Sequence, residues 1–335
     1  MGEPLVEFVE AAYDTEVPTE EWLKRLGWRL RSLVREGMGV IGYRYDASDA
    51  SRVRLSSVVM LEPNRAVAAA VDAAHAIGPA WGAKRVYWGG VRAGLMSESI
   101  GKTWSTFPIF RNLVAPFGVQ DFFSLRASNP GQRGVMLGAS LKEGRHLSSG
   151  ETEMWERLGA HVASGMRLRD QLPLRDPGRD AAAVLSASGT VEHAVGDAKE
   201  EGAREILASA ARRMDRARGR LRREDPREAV AIWSALVEGR WSLVDWIDRD
   251  GRRYLVAREN PPPAAALSRL THRERQVMAL VAQGDSNKLV AYELGISEES
   301  VAVHVHRASR KLGASSRVDL IALYRGWVSR QKECG

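Results

Sequence analysis

The 335-residue sequence predicts a multidomain fold: an α+β domain, a smaller α+β module, and an all-α head of four helices. Three observations predict it. Pairs of β-branched and aromatic runs, joined by turn signals and flanked by helical apolar periodicity, occur in 1–172 and again in 180–258. A proline-rich connector, 259–268, follows the second pair. Four short apolar-periodic segments, each bounded by a glycine or a cap residue, then fill 268–330.

In the first domain, Glu20 to Glu36 carries Trp22, Leu26, Leu30 and Leu33 on one helical face, and Gly37 and Gly39 end it. Val40 to Tyr45 and Val53 to Met60 read as strands joined through Asp46-Ala47-Ser48-Asp49. Glu62 to Ile77 is alanine-rich and predicted helical. Gln120 to Ala127 and Gly134 to Leu141 form a second strand pair around Asn129-Pro130-Gly131. Ser148 and Glu151 then stand at capping-box spacing before a long helix with Met154, Leu158, Val162 and Met166 on one face. Helix, strands, helices, hairpin and closing helix is an order that resembles a GAF-like domain. That resemblance implies a sensor of small molecules or proteins. Nine of the 23 aromatic residues lie between Trp81 and Phe123. Among them Trp81, Trp88, Trp104, Phe107 and Phe122 are candidate linings of an apolar pocket for a small-molecule effector, the alternative being core packing and a dimer face. Gly101-Lys102-Thr103 matches the end of a phosphate loop, but Met96 stands where its first glycine must be, which argues against nucleotide hydrolysis.

Leu172 to Gly178 is a turn-rich linker. In the second module, Ala182 to Val195 reads as a strand pair around Ser188-Gly189, and Trp241 to Ile247 and Arg252 to Ala257 flank an Asp-Gly hairpin signal. With helices between, this order resembles a PAS-like module over 180–258. Residues 212–223 hold seven arginines. Leu207, Ala210, Met214, Ala217 and Leu221 recur at three-four spacing beneath them. The arginines therefore read as the solvated face of a packed helix, with Glu200, Glu201, Glu205, Glu224 and Asp225 as partners; an auxiliary phosphate-binding surface is the alternative.

The head begins with Thr271 and Glu274 at capping-box spacing before Val277, Leu280 and Val281. Gly284 ends that helix, Asp285-Ser286 caps the next over Asn287 to Leu294, and Gly295 makes a tight turn. Ser297 caps a third helix to about Leu312, with Val301, Val305 and Leu312 facing a core. Gly313 stops it, and Val318, Leu320, Ile321 and Leu323 mark a fourth. A scaffold helix, a glycine turn and a polar second helix make a helix-turn-helix, a unit sized for the DNA major groove. Leu270-Thr271-x-Arg273-Glu274, Val281-Ala282-x-Gly284-x-Ser286-Asn287-Lys288, Ala291, Leu294-Gly295-Ile296-Ser297, Val301-x-x-His304, Lys311-Leu312-Gly313 and Arg317 together carry a further resemblance. Ser268–Tyr324 resembles the C-terminal DNA-binding domain of LuxR-type (LuxR/FixJ) transcriptional regulators.

The resemblance implies phosphate contacts near Asn287 and Lys288, and a recognition helix opened by Ser297. It implies DNA contacts at Ser300, Ala302, Val303, His306, Arg307 and Arg310, with Lys311 adding phosphate attraction. The family usually carries lysine where Ala302 stands, and often a basic or polar residue where His306 stands, so a phosphate or guanine contact is missing. It further implies a homodimer through the fourth helix, for which Ala322, Leu323 and Trp327 are candidates. Double-stranded promoter DNA is the expected partner, with RNA polymerase a second one. Two alternatives stand beside this one-component regulator: a head that has lost specific DNA binding and docks on a protein, and a sigma-factor-like protein.

Charge agrees with a polyanion partner. The last stretch, 265–335, holds 11 basic and 7 acidic residues, a net of +4 out of +7 for the whole chain. The single cysteine, Cys334, allows no internal disulfide, and the acidic N-terminus lacks a basic and apolar leader. No uncharged run approaches a membrane span, so a cytoplasmic protein is expected. The seven histidines are scattered, and His304 and His306 point to different sides of one helix. No catalytic residue, metal site or cofactor is expected.

Overall fold

The computed structural model describes residues 3–34, 37–47, 53–61, 86–87, 92–101, 104–106, 110–129, 132–142, 146–171, 181–237, 241–247, 252–259, 270–314 and 316–333. Their contacts divide the chain into two units, 1–175 with 213–233, and 176–212 with 234–335. The predicted helix over Glu62 to Ile77, the Asn129-Pro130-Gly131 turn's tip, the first linker and the second one beyond Glu259 lie outside the described residues.

The first unit is built on an antiparallel sheet of five strands: β1 (Gly37–Asp46), β2 (Arg54–Leu61), β3 (Ala93–Leu95), β4 (Asp121–Ser128) and β5 (Arg133–Leu141), in the order β2-β1-β5-β4-β3. Helices α2 (Thr19–Leu33) and α4 (Ser149–Gln171) pack on it, and α1 (Glu3–Ala12) packs on those two helices; a short α3 (Met96–Ile100) follows β3. Trp22, Leu26 and Leu30 are buried, as the four-residue spacing requires, and the Trp22 indole donates to the Ala11 carbonyl at 3.0 Å. The Ser148–Glu151 box closes the start of α4, with each residue's amide bonded to the other's side chain at 2.9 and 3.3 Å. Gly165 of α4 lies so close to α1 that a β-carbon there would stand 1.8 Å from the Ala12 carbonyl oxygen. Beyond this sheet, α6 (Leu221–Glu224) and α7 (Pro226–Ile232) return the chain to α1. Trp233 stacks on Tyr13 with centroids 6.0 Å apart, and the fully buried His161 meets both rings edge-on.

In the second unit, β6 (Ala183–Ser186), β7 (Val191–Ala194), β8 (Trp241–Ile247) and β9 (Arg253–Glu259) form an antiparallel sheet in the order β7-β6-β9-β8. Gly189, at φ +88°, turns β6 into β7 where a β-carbon would meet the Ala208 carbonyl at 2.7 Å. The arginine-rich stretch, 212–223, is not the one helix expected: α5 (Glu201–Arg218), with Leu207, Ala210, Met214 and Ala217 buried, stops before Gly219 and α6 starts anew at Leu221, which is half-buried; from Arg213 onward these residues belong to the first unit. The partners differ from those expected for its cations. Arg218 donates to Glu10 at 2.8 Å, and Arg222 lies 3.6 Å from Glu10 and 4.0 Å from Glu7, so two of the acids come from α1. Of the predicted set, Glu224 is engaged, by Arg220 at 2.7 Å.

The all-α head completes this unit: α8 (His272–Val281), α9 (Asn287–Leu294), α10 (Glu298–Leu312) and α11 (Arg317–Glu333). Its core gathers Leu270, Val277, Leu280, Val281, Val290, Leu294, Val301, Ala308, Leu320 and Tyr324. The architecture is thus multidomain α+β with two antiparallel sheets and an all-α C-terminal region.

Candidate nucleic-acid interface

Each helix of the head starts on a side-chain cap. Thr271 and Glu274 form a reciprocal box on α8: the Glu274 amide donates to the Thr271 hydroxyl at 3.3 Å and the Thr271 amide to the Glu274 carboxylate at 2.8 Å. Ser286 caps α9 by accepting from the Leu289 amide at 3.2 Å, and Gly295 takes the left-handed conformation that turns the chain into α10. Ser297 caps α10 through the Ser300 amide at 3.1 Å, and the two hydroxyls are also hydrogen-bonded at 3.1 Å. Glu298 and Glu299 in its first turn, with Arg310 and Lys311 in its last, suit the helix dipole at both ends.

Spacing divides α10 into two faces. Val301 and Ala308 are fully buried, with Val305 and Leu312 packed against the same core. Ala302, Val303, His306, Arg307 and Arg310 are exposed and fall on the opposite side, Val303 at 46%. The structure therefore brings five of the ten sequence-predicted contact residues into one outward row. Lys288 is exposed on α9, while Asn287 is half-buried and accepts from the Arg317 guanidinium at 2.9 Å. Arg317 also donates to the Asp285 carbonyl at 2.9 Å, so it pins the start of α9. Its position in the motif was the only sequence signal for that role.

Lys311 has a partner inside the head. Its ammonium lies 2.7 and 2.9 Å from the two oxygens of Glu274, whose side chain is 2% exposed. Burial acts to raise the Glu274 carboxyl, but the Lys311 hydrogen bonds, the Thr271 amide and the lysine charge outweigh it and hold the group below its usual value. Burial lowers the half-buried His304, and the neighbouring Arg273 and Arg307 add to that shift against the pull of Glu274. His306 faces out. Among the described residues no group of three or more His, Cys, Asp or Glu could hold a metal ion.

On α11, Ala322 is exposed, Leu323 is 40% exposed and Val318 is 79% exposed, while the Trp327 side chain lies outside the described residues. So do Trp81, Trp88, Phe107 and the side chain of Trp104. Phe122 is half-buried against Phe110 and Val119. On the sheet of the first unit, Tyr43 and Tyr87 share a buried hydrogen bond of 2.9 Å, and Arg126, 2% exposed, donates to the Tyr87 carbonyl. Among the described residues no helix is long and apolar enough to cross a membrane.

Residues 268–324 match the family model described as bacterial regulatory proteins, luxR family. The nitrate/nitrite response regulator protein NarL of Escherichia coli K12 is 38% identical over 66 residues, 20% of this chain and 29% of that protein. The transcriptional regulatory protein UhpA of Escherichia coli K12 is 49% identical over 61 residues, 17% of this chain and 30% of that protein. The chain thus spans under a third of the length of these curated relatives. A crystal structure of Escherichia coli SdiA aligns over 95% of this chain and 92% of its own, at 11% identity and a TM-score of 0.32, too low to mark a shared fold. The head, on its sequence match and its four helices, is a LuxR-type helix-turn-helix domain.

Proposed function

We propose that a chain bearing this LuxR-type head is a one-component transcriptional regulator that binds promoter DNA through the exposed row of α10. The observation that carries the reading is the division of that helix: Val301 and Ala308 fix it to the core while Ala302, Val303, His306, Arg307 and Arg310 face solvent. Arg307, Arg310 and Lys288 supply sequence-independent attraction to phosphates. Val303 is placed to meet a thymine methyl, and His306 offers a donor or an acceptor to a base edge. One head this small needs a second for useful affinity, so the chain acts as a dimer on two half-sites, with Ala322, Leu323 and Trp327 at the contact. The first domain senses a small-molecule effector in a pocket to which Trp81, Trp88, Trp104, Phe107 and Phe122 contribute, and RNA polymerase is the partner on the promoter.

A duplex selected from a random pool by the wild-type chain, and a scrambled version of it, test this in gel shifts. Arg307→Ala is expected to weaken binding to both, whereas Val303→Ala mainly narrows the difference between them. Equal and negligible losses in both variants would put DNA on another surface. A second reading draws on Ala302 and Lys311, the first lacking a cation and the second engaged by Glu274: the head docks on a protein instead. If the wild-type chain retards no duplex even at low salt, that reading wins.

A further inference from the structure

The first helix of the head is covered on more sides than its own bundle requires. From Gln276 to Gln283 every residue is buried. Val277, Leu280 and Val281 belong to the shared core. Gln276 and Ala279 stand at i and i+3, roughly 120° round the helix from those three at 3.6 residues per turn, with Ala279 in the same core cluster, and Gln283, in the turn after the helix, donates its side-chain amide to the Ala279 carbonyl at 3.2 Å. The exposures of Gln276, Ala279 and Gln283 are 9%, 3% and 2%. A glutamine-edged side of a helix in a small four-helix head would ordinarily meet water, and a helix buried all round has something packed on its back.

One residue from outside the head joins its core. Leu236, 5% exposed, belongs to the same apolar cluster as Leu270, Val277, Val301, Leu320 and Tyr324. Among the described residues it is the one buried member of that cluster from outside 270–324. Its neighbour Val237 is fixed to the start of β8 by paired hydrogen bonds with Trp241, at 2.8 and 3.1 Å. The segment is therefore anchored to the sheet at one end and inserted in the head at the other.

We infer that Ala235–Val237 is a latch that docks the head onto the sheet of its own unit, with Leu236 as the bolt, while the outward row of α10 stays open. The sheet then sets the direction in which the head presents that row. With the latch released, residues 260–269 would be the covalent tether between the two. The inference is independent of what the head binds.

Hydrogen exchange on the full chain tests it, comparing wild type, Leu236→Asp and Leu236→Ala. Removing the buried leucine should speed exchange of 276–283 by at least about tenfold, the aspartate more than the alanine, with β8 and β9 unchanged. If the aspartate variant does not fold, the alanine variant decides by the same criterion. Unchanged exchange in 276–283, or an equal acceleration in β8 and β9, overturns the latch. The second result would make Leu236 an ordinary core residue of the sheet.

Discussion

The Glu274 carboxylate is desolvated, accepts from the Thr271 amide, and depends on Lys311 for its counter-charge. Lys311→Met leaves that anion buried with half its partners. The expected loss is about 1–3 kcal/mol of unfolding free energy, discounted from the larger figures for buried pairs because the lysine itself is 38% exposed. Glu274→Gln in the same background should recover most of it, because a neutral glutamine still serves the capping box. Urea titrations of the two variants and the wild type check both signs. His161 gives a pH signature. Burial drives its pKa down to about 3, against a hydrogen bond to the Trp233 backbone that works the other way. The ring is thus neutral in the fold, while the unfolded chain protonates it near the usual value of roughly 6.5. Between those values the unfolded state binds more protons, so stability is full above the unfolded pKa and falls as the pH drops toward 3. Each pH unit below about 6 should remove about 1.4 kcal/mol through this group. Urea midpoints followed from pH 7 to pH 4 should lose that slope in His161→Gln.

Among the elements, α4 shows helix propensity overruled by packing. Replacing a glycine inside a helix by alanine ordinarily adds up to about 1 kcal/mol of stability. At Gly165 the added carbon would strike the Ala12 carbonyl, so Gly165→Ala should instead lose about 1–3 kcal/mol in thermal or urea unfolding. Element type was legible wherever chemistry is local. The Ser148–Glu151 and Thr271–Glu274 boxes, the Gly295 and Gly313 stops and the hairpins around 188–189 and 248–251 depend on neighbours a few residues away. Helix α1 was not foreseen, although Leu5, Val6, Phe8, Val9 and Ala12, all buried, recur at helical spacing between acidic neighbours. What sequence could not give was partnership across the chain. Arg218 and Arg222 meet Glu7 and Glu10 some two hundred residues earlier, and Lys311 meets Glu274, because ion pairs follow spatial proximity rather than spacing.

For the whole molecule, the four helices of the head were readable, since a helix-turn-helix concentrates its constraints in caps, glycines and one buried face. The role of the aromatic-rich stretch was not, because aromatic density says nothing about whether rings line a cavity or fill a core. The DNA reading has a molecular-scale signature in salt. If Arg307 meets a phosphate, Arg307→Ala should flatten the dependence of log K on log salt by about 1. Val303→Ala should leave that slope alone. Fluorescence anisotropy across a salt series separates the two.

The clasped arginines at the junction of α5 and α6 bear on how a chain of this charge meets bulk nucleic acid. A guanidinium held by a carboxylate presents a dipole, whose field fades faster than that of a bare cation and is nearly gone beyond a Debye length of about 8 Å. Arg218, Arg220 and Arg222 therefore add little long-range pull, despite an overall pI of about 9.7. Those three groups therefore contribute correspondingly little to loose adhesion to bulk RNA, and long-range attraction is left to the chain's other cations.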